Sequence, residues 1–336
     1  MQVYRLQPGS DIAGLELRDE AAPSLAPHQV RVRVRAVALN FRDLMVARGT
    51  YLASDGQSLI PGSDAAGEVI EIGAAVTRWR VGDRVASTFF PYWQDGAPTA
   101  AKTRAAPGAA ADGVLAEQIV WGEDQLVGVP THLDWHEAAT LTCAGVTAWN
   151  ALFVEGRLKP GASVLLLGTG GVSIWGLQLA HAAGVRTIVT SSSDAKLERA
   201  RQLGASATIN YRATPEWQEE VLRLTNGAGV DAVLEVGGQG TLTRSVASTG
   251  MGGTVAIIGG VSGFGGELEP FALIGGARRL SGIFVGSHAM HHDLNRLVTQ
   301  ADIHPVIDRV FAFDQAREAY AHLASGAHFG KVVIGV

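Results

Sequence analysis

The stretch Val164-Leu165-Leu166-Leu167-Gly168-Thr169-Gly170-Gly171-Val172-Ser173 carries aliphatic residues into a glycine-rich turn and then opens onto a long apolar segment. The aliphatic part predicts a buried strand, Ser163 to Leu167, and the following Ile174 to Ala183 predicts a helix. Glycines permit a tight strand-to-helix turn and let the backbone approach a pyrophosphate, whose charge is stabilised by free N–H groups at the positive end of the helix dipole. Gly168, Gly170, Gly171 and Val172 are therefore the candidate phosphate contacts. Ser173 stands where the third glycine of G-x-G-x-x-G belongs, a departure that a small side chain at the helix–strand contact accommodates. A glycine turn alone is weak evidence, because such turns also use glycine for purely conformational reasons. Its surroundings decide.

Those surroundings alternate strand and helix. Candidate strands follow one another at Ser163 to Leu167, Thr187 to Thr190, Ala207 to Ile209, Asp231 to Val236, Gly253 to Ile258 and Arg279 to Val285, the full complement of a doubly wound, six-stranded parallel sheet. Ile174 to Ala183 and Ala195 to Leu203 are long enough for crossover helices. Val236, Gly237, Ile258 and Gly259 lie at the ends of the fourth and fifth strands, where ligands bind in open α/β sheets. An acid at the end of the second strand would grip the ribose 2′-hydroxyl of NAD. The strand runs instead into Ser191, Ser192 and Ser193, with Lys196 close behind. Hydroxyls and a cation favour a 2′-phosphate, hence NADP(H) as cofactor. Lys196 read as an ordinary exposed helix residue remains open, and Asp194 would repel the phosphate if it turned inward, its other reading being a helix N-cap. Gly161 to Ala180 has the length of a membrane span and no charge, but the glycines that interrupt it fit a strand, turn and helix better.

The chain has 336 residues, enough for two domains, with 47% apolar and 18% charged residues, far from the composition of disorder. The first 120 or so residues read as mostly β, with segments at Gln29 to Ala38, Glu68 to Ile72 and Gly113 to Val120 separated by Pro and Gly. Phe89 to Asp112 reads as a long loop with an aromatic base, either a solvated insertion or one wall of a substrate pocket. The tail from about His288 carries a helix-like Asp314 to Ser325 and a strand-like Lys331 to Val336, and is expected to return to the first domain. A net charge of −5 without basic clustering argues against nucleic acid as a partner. The N-terminus MQVYRLQPGS lacks the pattern of a secretory or transit signal, so a cytoplasmic location without membrane attachment is expected. Cys143 is the single cysteine, which leaves no disulfide framework and no multi-thiolate metal site.

Beyond these readings, the chain resembles the medium-chain dehydrogenase/reductase superfamily nearly end to end. The likeness rests on LNFRDLMVARGTY at Leu39 to Tyr51, PGSDAAGEVIEIG at Pro61 to Gly73, GDRV at Gly82 to Val85, GVLAEQ at Gly113 to Gln118, LTCAGVTAW at Leu141 to Trp149, and the glycine turn. The most similar branch is the alcohol dehydrogenase-like and quinone oxidoreductase-like one. The resemblance implies an α/β chain with a discontinuous GroES-like catalytic domain, residues 1–122 and 287–336, and a Rossmann NADP(H)-binding domain, residues 123–286. It places Thr147 at the nicotinamide end, Tyr211 by the adenosine phosphate, and Phe284 and Val285 beside the nicotinamide on a sixth strand whose edge pairing would make a homodimer. The family's zinc enzymes carry ligands where Asn40, Ser63 and Cys143 stand. Two of the three are absent here and catalytic zinc needs three, so a zinc-free site is expected, with Cys143 a small packed residue.

Without zinc, the implied reaction is hydride transfer from NADPH to a quinone or α,β-unsaturated carbonyl, which needs little Lewis-acid help. Asn40 and Tyr51 are candidates for the hydrogen bond where negative charge develops on oxygen, with Asp43 as an orienting residue. Each has a plainer alternative: Asn40 satisfying backbone groups, Asp43 capping a helix, Tyr51 a core aromatic. Two rival functions stay in view, an NAD(P)-dependent alcohol dehydrogenase and a non-catalytic dinucleotide-binding protein. His132, His136, His288, His291 and His292 show no recognised zinc spacing with Cys or acidic partners and are not expected to hold a metal.

Overall fold

A computed structural model of the protein describes residues 1–51, 57–265 and 267–336. The chain forms two units, one of residues 1–146 with 286–336, the other of residues 147–285. In the first unit β1 (Gln2–Leu6) pairs antiparallel with β2 (Leu15–Asp19). The spine of the main sheet is β3 (Gln29–Leu39), where Val30, Val32 and Val34 turn inward while Arg31 and Arg35 meet Glu71 and Glu68 of the next strand at 2.7 and 3.0 Å. That alternation is the mark of a sheet with one wet face. From Ala36 to Leu39 both faces are buried, and α1 (Phe41–Ala47) follows at once. On either side of β3 run β4 (Asp64–Ile72) and β6 (Gln118–Gly122); β4 pairs with β5 (Arg84–Ser87), and β5 with β7 (Leu126–Gly128).

The strand expected at Gly113 to Val120 begins only at Gln118. Residues 113–117 instead bond to Ile60, Pro61 and Gly62 and to β1. A Cβ on Gly113 would stand 2.1 Å from the Gly62 carbonyl, so only glycine allows this approach. In the Phe89 to Asp112 loop, Phe89, Phe90 and Trp93 are buried in the first unit, while Tyr92 is exposed. α2 (Trp135–Ala139) packs on β3 and β4. With β7 and α2 both bound to this sheet, the boundary falls at 146/147 rather than at the 122/123 expected from sequence.

The second unit contains β8 (Ser163–Leu167), α3 (Gly171–Ala182), β9 (Arg186–Ser191), α4 (Asp194–Gln202), β10 (Ala207–Asn210), α5 (Trp217–Leu224), β11 (Val230–Glu235), α6 (Leu242–Ser248), β12 (Thr249–Ile257), α7 (Pro270–Ile274) and β13 (Arg279–Gly282). The six strands are parallel in the order β10-β9-β8-β11-β12-β13, a Rossmann sheet whose strand order reverses beside β8. The last strand ends at Gly282, so Phe284 and Val285 lie beyond it rather than on it. Apolar helix α3 is a buried layer of this unit, and no helix among the described residues is long and apolar enough to cross a membrane.

The tail rejoins the first unit as α8 (His288–Gln300), β14 (Ile307–Phe311), α9 (Ala316–Ala324) and β15 (Lys331–Gly335). β15 lies between β14, parallel to it, and β3, antiparallel to it. His291 of α8 is 2% exposed, its Nε2 has no hydrogen bond among the described residues, and burial pulls its pKa down to about 3. The unfolded chain takes up that proton near pH 6.5 and the folded chain does not, so this residue's contribution is intact above about pH 6.5 and is lost as pH falls from there toward 3. His291→Gln is expected to flatten the acid side of the stability–pH curve by up to about 1.4 kcal/mol per pH unit in that window. Urea unfolding at several pH values checks this, and parallel curves for the two proteins would refute it.

Candidate active site and dinucleotide turn

In the first unit, a cluster of buried charge forms where β3, β4 and β15 meet α1. Asn40 lies between β3 and α1, and its backbone N–H donates to Asp43 Oδ2 at 2.8 Å, so Asp43 is a helix-capping residue. The register that sets Val332 opposite Leu39 brings Lys331 alongside Asn40, and Lys331 Nζ donates to Leu39 O at 2.6 Å and Asn40 Oδ1 at 2.5 Å. Asp64, 0% exposed, accepts from Ser63 Oγ at 2.7 Å and from the Cys143 backbone N–H at 3.0 Å. Burial raises the Asp64 carboxyl, and the Lys331 ammonium opposes it most.

Arg42 is the residue that sequence reasoning overlooked. Its guanidinium donates to Pro107 O at 3.0 Å, lies 3.5 Å from Asp43 Oδ1, and stacks 4.8 Å from the Tyr51 ring centre and 5.0 Å from that of Phe89. Asn40, Asp43 and Tyr51 are thus brought together around Arg42 and Lys331. Burial pushes Asp43 up to about 6 against the pull of Arg42, and burial likewise raises the Tyr51 hydroxyl, again opposed by Arg42. Tyr51 is therefore protonated at neutral pH, the state a proton donor requires. An arginine at helix position two, flanked by aromatics at positions 51 and 89, carries no local pattern that would have singled it out.

The three positions at which zinc would be held do not fit the ion. Asn40 Oδ1 is taken by Lys331, and the Ser63 hydroxyl by Asp64. Burial, followed by the Asp64 carboxylate, drives the Cys143 thiol far above its ordinary value and so away from the thiolate that binds metal.

The second unit presents the turn suited to a dinucleotide. Gly168 adopts φ +73 with open space where a Cβ would point, and the N-cap of α3 is Gly170, which has no side chain to cap the first turn and so leaves N–H groups for an anion. Gly171 and Val172 are the first residues of that helix. Ser173, at the third glycine position, is 2% exposed and donates its hydroxyl to Leu167 O at 2.6 Å, which ties the helix to the strand. At the end of β9, Ser191 is buried and accepts from the Ser193 N–H at 3.3 Å, Ser192 is half-buried, and the Tyr211 N–H donates to Ser191 O, which brings Tyr211 alongside. Ser193, not Asp194, caps α4, accepting from Lys196 N at 3.4 Å. The Asp194 carboxylate is bonded to Asn210 Nδ2 at 2.7 Å, and Lys196 is half-buried in the first turn of the helix.

Glu235, at the end of β11, was also missed from sequence. This fully buried carboxylate accepts from Gly237 N at 2.7 Å, Gly238 N at 2.9 Å, Thr241 Oγ1 at 2.6 Å and the Ser245 hydroxyl. Its carbonyl accepts from Ile258 N and Gly259 N, so it holds both strand-end segments, including Val236 and Gly237, around a cavity of about 170 Å³. Thr147 is buried. Nearby in sequence, Asn150 Nδ2 donates to Val285 O at 2.8 Å and holds that valine at φ +51, a conformation costly for a β-branched residue.

Residues 26–131 match the family description "Alcohol dehydrogenase GroES-like domain", and residues 171–301 match "Zinc-binding dehydrogenase". Together these span most of the chain. It belongs to the medium-chain dehydrogenase/reductase superfamily. Among superfamily relatives, a zinc-type alcohol dehydrogenase-like protein of Schizosaccharomyces pombe is 44% identical over 94% of this chain and 93% of its own. A quinone oxidoreductase of Pseudomonas aeruginosa is 32% identical over 95% of each chain. The solved structure of an NAD-dependent alcohol dehydrogenase superposes with a TM-score of 0.90 at 31% identity, covering 100% of both chains. As a medium-chain dehydrogenase/reductase the protein is an oxidoreductase with a nicotinamide dinucleotide as cofactor.

Proposed function

We propose that this protein is a zinc-independent, NADPH-dependent reductase of quinones or α,β-unsaturated carbonyls. The observation that carries the reading is the occupation of two zinc-ligand positions by the protein's own bonds, Lys331 on Asn40 Oδ1 and Ser63 on Asp64, beside a half-buried Cys143 whose thiol is held protonated. A carbonyl that needs a Lewis acid is poorly served there, whereas an enone or quinone needs only position and a proton. Gly168, Gly170, Gly171 and Val172 would take the pyrophosphate, and Thr147, Phe284 and Val285 would border the nicotinamide. Ser191, Ser192, Lys196 and Tyr211 would take the adenosine 2′-phosphate, a reading supported by a β9 end that carries no carboxylate and by Asp194 being engaged with Asn210. NADPH, when bound, supplies the hydride. Tyr51 supplies the proton at the developing oxyanion, Arg42 holds its ring, and Asp43 fixes Asn40 and Arg42.

Tight binding of NADPH and weak binding of NADH in a fluorescence titration, followed by NADPH oxidation with enones or quinones in metal-free buffer, is the expected result. Alcohol oxidation with inert enones, or activity lost on chelation and restored by zinc in the Asp302→Ala, His304→Ala variant as well as in the parent, would overturn it. Tyr51→Phe is expected to lower kcat about 100-fold with KM nearly unchanged, because the hydroxyl acts only as charge develops. A KM effect alone would make Tyr51 a packing residue.

The proposal includes a second copy of the chain. Among the described residues β13 has a neighbour on one side only, and Met251, Phe271 and Ile274 of the same unit are 83%, 70% and 72% exposed. An unpaired edge with exposed apolar side chains is a pairing surface. Light scattering is expected to give a dimer, converted to monomer by Phe271→Asp with Ile274→Asp; a monomeric parent protein would reject it.

A further inference from the structure

We propose that His132, Asp302 and His304 bind one divalent transition-metal ion, zinc foremost, at a site separate from Asn40, Ser63 and Cys143. The three side chains each offer a donor atom, and these atoms lie within 4.8 Å of one another. Asp302 Oδ1 stands 4.0 Å from His132 Nε2 and 3.9 Å from His304 Nε2. Ligands about 2.1 Å from a tetrahedral ion are roughly 3.4 Å apart, so small side-chain rotations close the set. The Ile303 carbonyl, 3.2 Å from His132 Nε2, is already at that spacing and offers a fourth donor, an oxygen. In the ion's absence this carbonyl accepts the His132 Nε2–H; metal binding at Nε2 moves that proton to Nδ1, the tautomer a neutral histidine ligand requires.

What separates this group from a chance meeting of surface histidines is the support behind it. His304 Nδ1 bonds to Glu137 Oε1 at 2.8 Å, which fixes the ring and directs Nε2 toward Asp302. A carboxylate behind a histidine is the usual second layer of a metal site. Glu137 is itself held: its other oxygen accepts the Asp134 N–H and its own N–H donates to Asp134 Oδ1, both at 2.8 Å, in the cap of α2. The histidine rings meet edge to face with centres 5.2 Å apart. Asp302 is 78% exposed and His304 53%, open to an ion from solution.

The mixed nitrogen and oxygen donors suit zinc, cobalt(II), nickel(II) or copper(II) rather than magnesium or calcium. His132 follows β7, and Asp302 and His304 follow α8, so the ion would clip the returning tail to the body of the first unit. Closing so long a loop favours the folded state.

Titration calorimetry with zinc chloride on the full chain, freed of metal beforehand, is expected to give one ion per chain and a higher Tm. Asp302→Ala with His304→Ala should abolish both. Glu137→Gln should keep the stoichiometry and weaken affinity about 10-fold. Cobalt(II) should give the visible absorption of a tetrahedral site in the parent protein and not in the double variant. Equal zinc binding by parent and double variant, no binding by either, or binding lost on Cys143→Ser instead would overturn the proposal.

Discussion

Lys331→Met is expected to destabilise the first unit by about 3–5 kcal/mol near neutral pH, through two lost charge-assisted hydrogen bonds, to Leu39 O and Asn40 Oδ1, and through loss of the positive charge that offsets the burial of Asp64. Lys331 is 3% exposed, and the field of its ammonium most strongly opposes the effect of burial on the fully enclosed Asp64. Methionine keeps the volume and removes the charge, so Asp64 must either stay ionised without a counter-charge or take up a proton. Its folded pKa then rises further above that of the unfolded chain. For a raised carboxyl, stability is greatest below the unfolded pKa and falls as pH rises through the folded one. The deficit should therefore grow between mildly acid and mildly alkaline pH, and Lys331→Met with Asp64→Asn should recover much of it. Urea unfolding across that range decides: a pH-independent deficit with no rescue would show that Lys331 acts only through Leu39 O and Asn40 Oδ1.

Glu235→Leu is expected to cost the second unit a similar amount, about 3–5 kcal/mol, by leaving two backbone N–H groups and two hydroxyls without their acceptor. These donors at Gly237, Gly238, Thr241 and Ser245 have Glu235 as their common centre. Because the same residue's carbonyl anchors Ile258 and Gly259, dinucleotide affinity should fall with stability. Glu235→Gln keeps an acceptor oxygen and should lose less of both. Unfolding and cofactor titration on the two variants check this, and a leucine variant within about 1 kcal/mol of the parent would refute the claim that the carboxylate organises the loop.

The six strands of the second unit, the turn at Gly168 to Ser173 and the helix after it were legible because each follows from neighbours in sequence: aliphatic runs, glycine at the turn, a small residue at position 173. The valine–arginine alternation of β3 was equally legible, since period two reports which face is dry. The candidates Asn40, Asp43 and Tyr51 lie within one short stretch of sequence, and the fold gathers them around Arg42 and Lys331.

What the sequence left unresolved was decided by register and packing. Lys331 meets Asn40 across 291 residues only because β15 pairs with β3 in one particular alignment. Arg42 reads as an ordinary helix cation until its burial between two aromatic rings is known, and Glu235 as an ordinary strand-end acid until its donors converge. His304 joins His132 only when the tail returns. The domain boundary moved to 146/147 for the same reason, since β7 is too short to declare itself and is a strand by virtue of pairing with β5. Local chemistry determined the elements, because periodicity and turn preference are carried by adjacent residues; the pairing of buried charges was decided only by the tertiary fold, because desolvation and partner distance exist only once distant segments have been brought together.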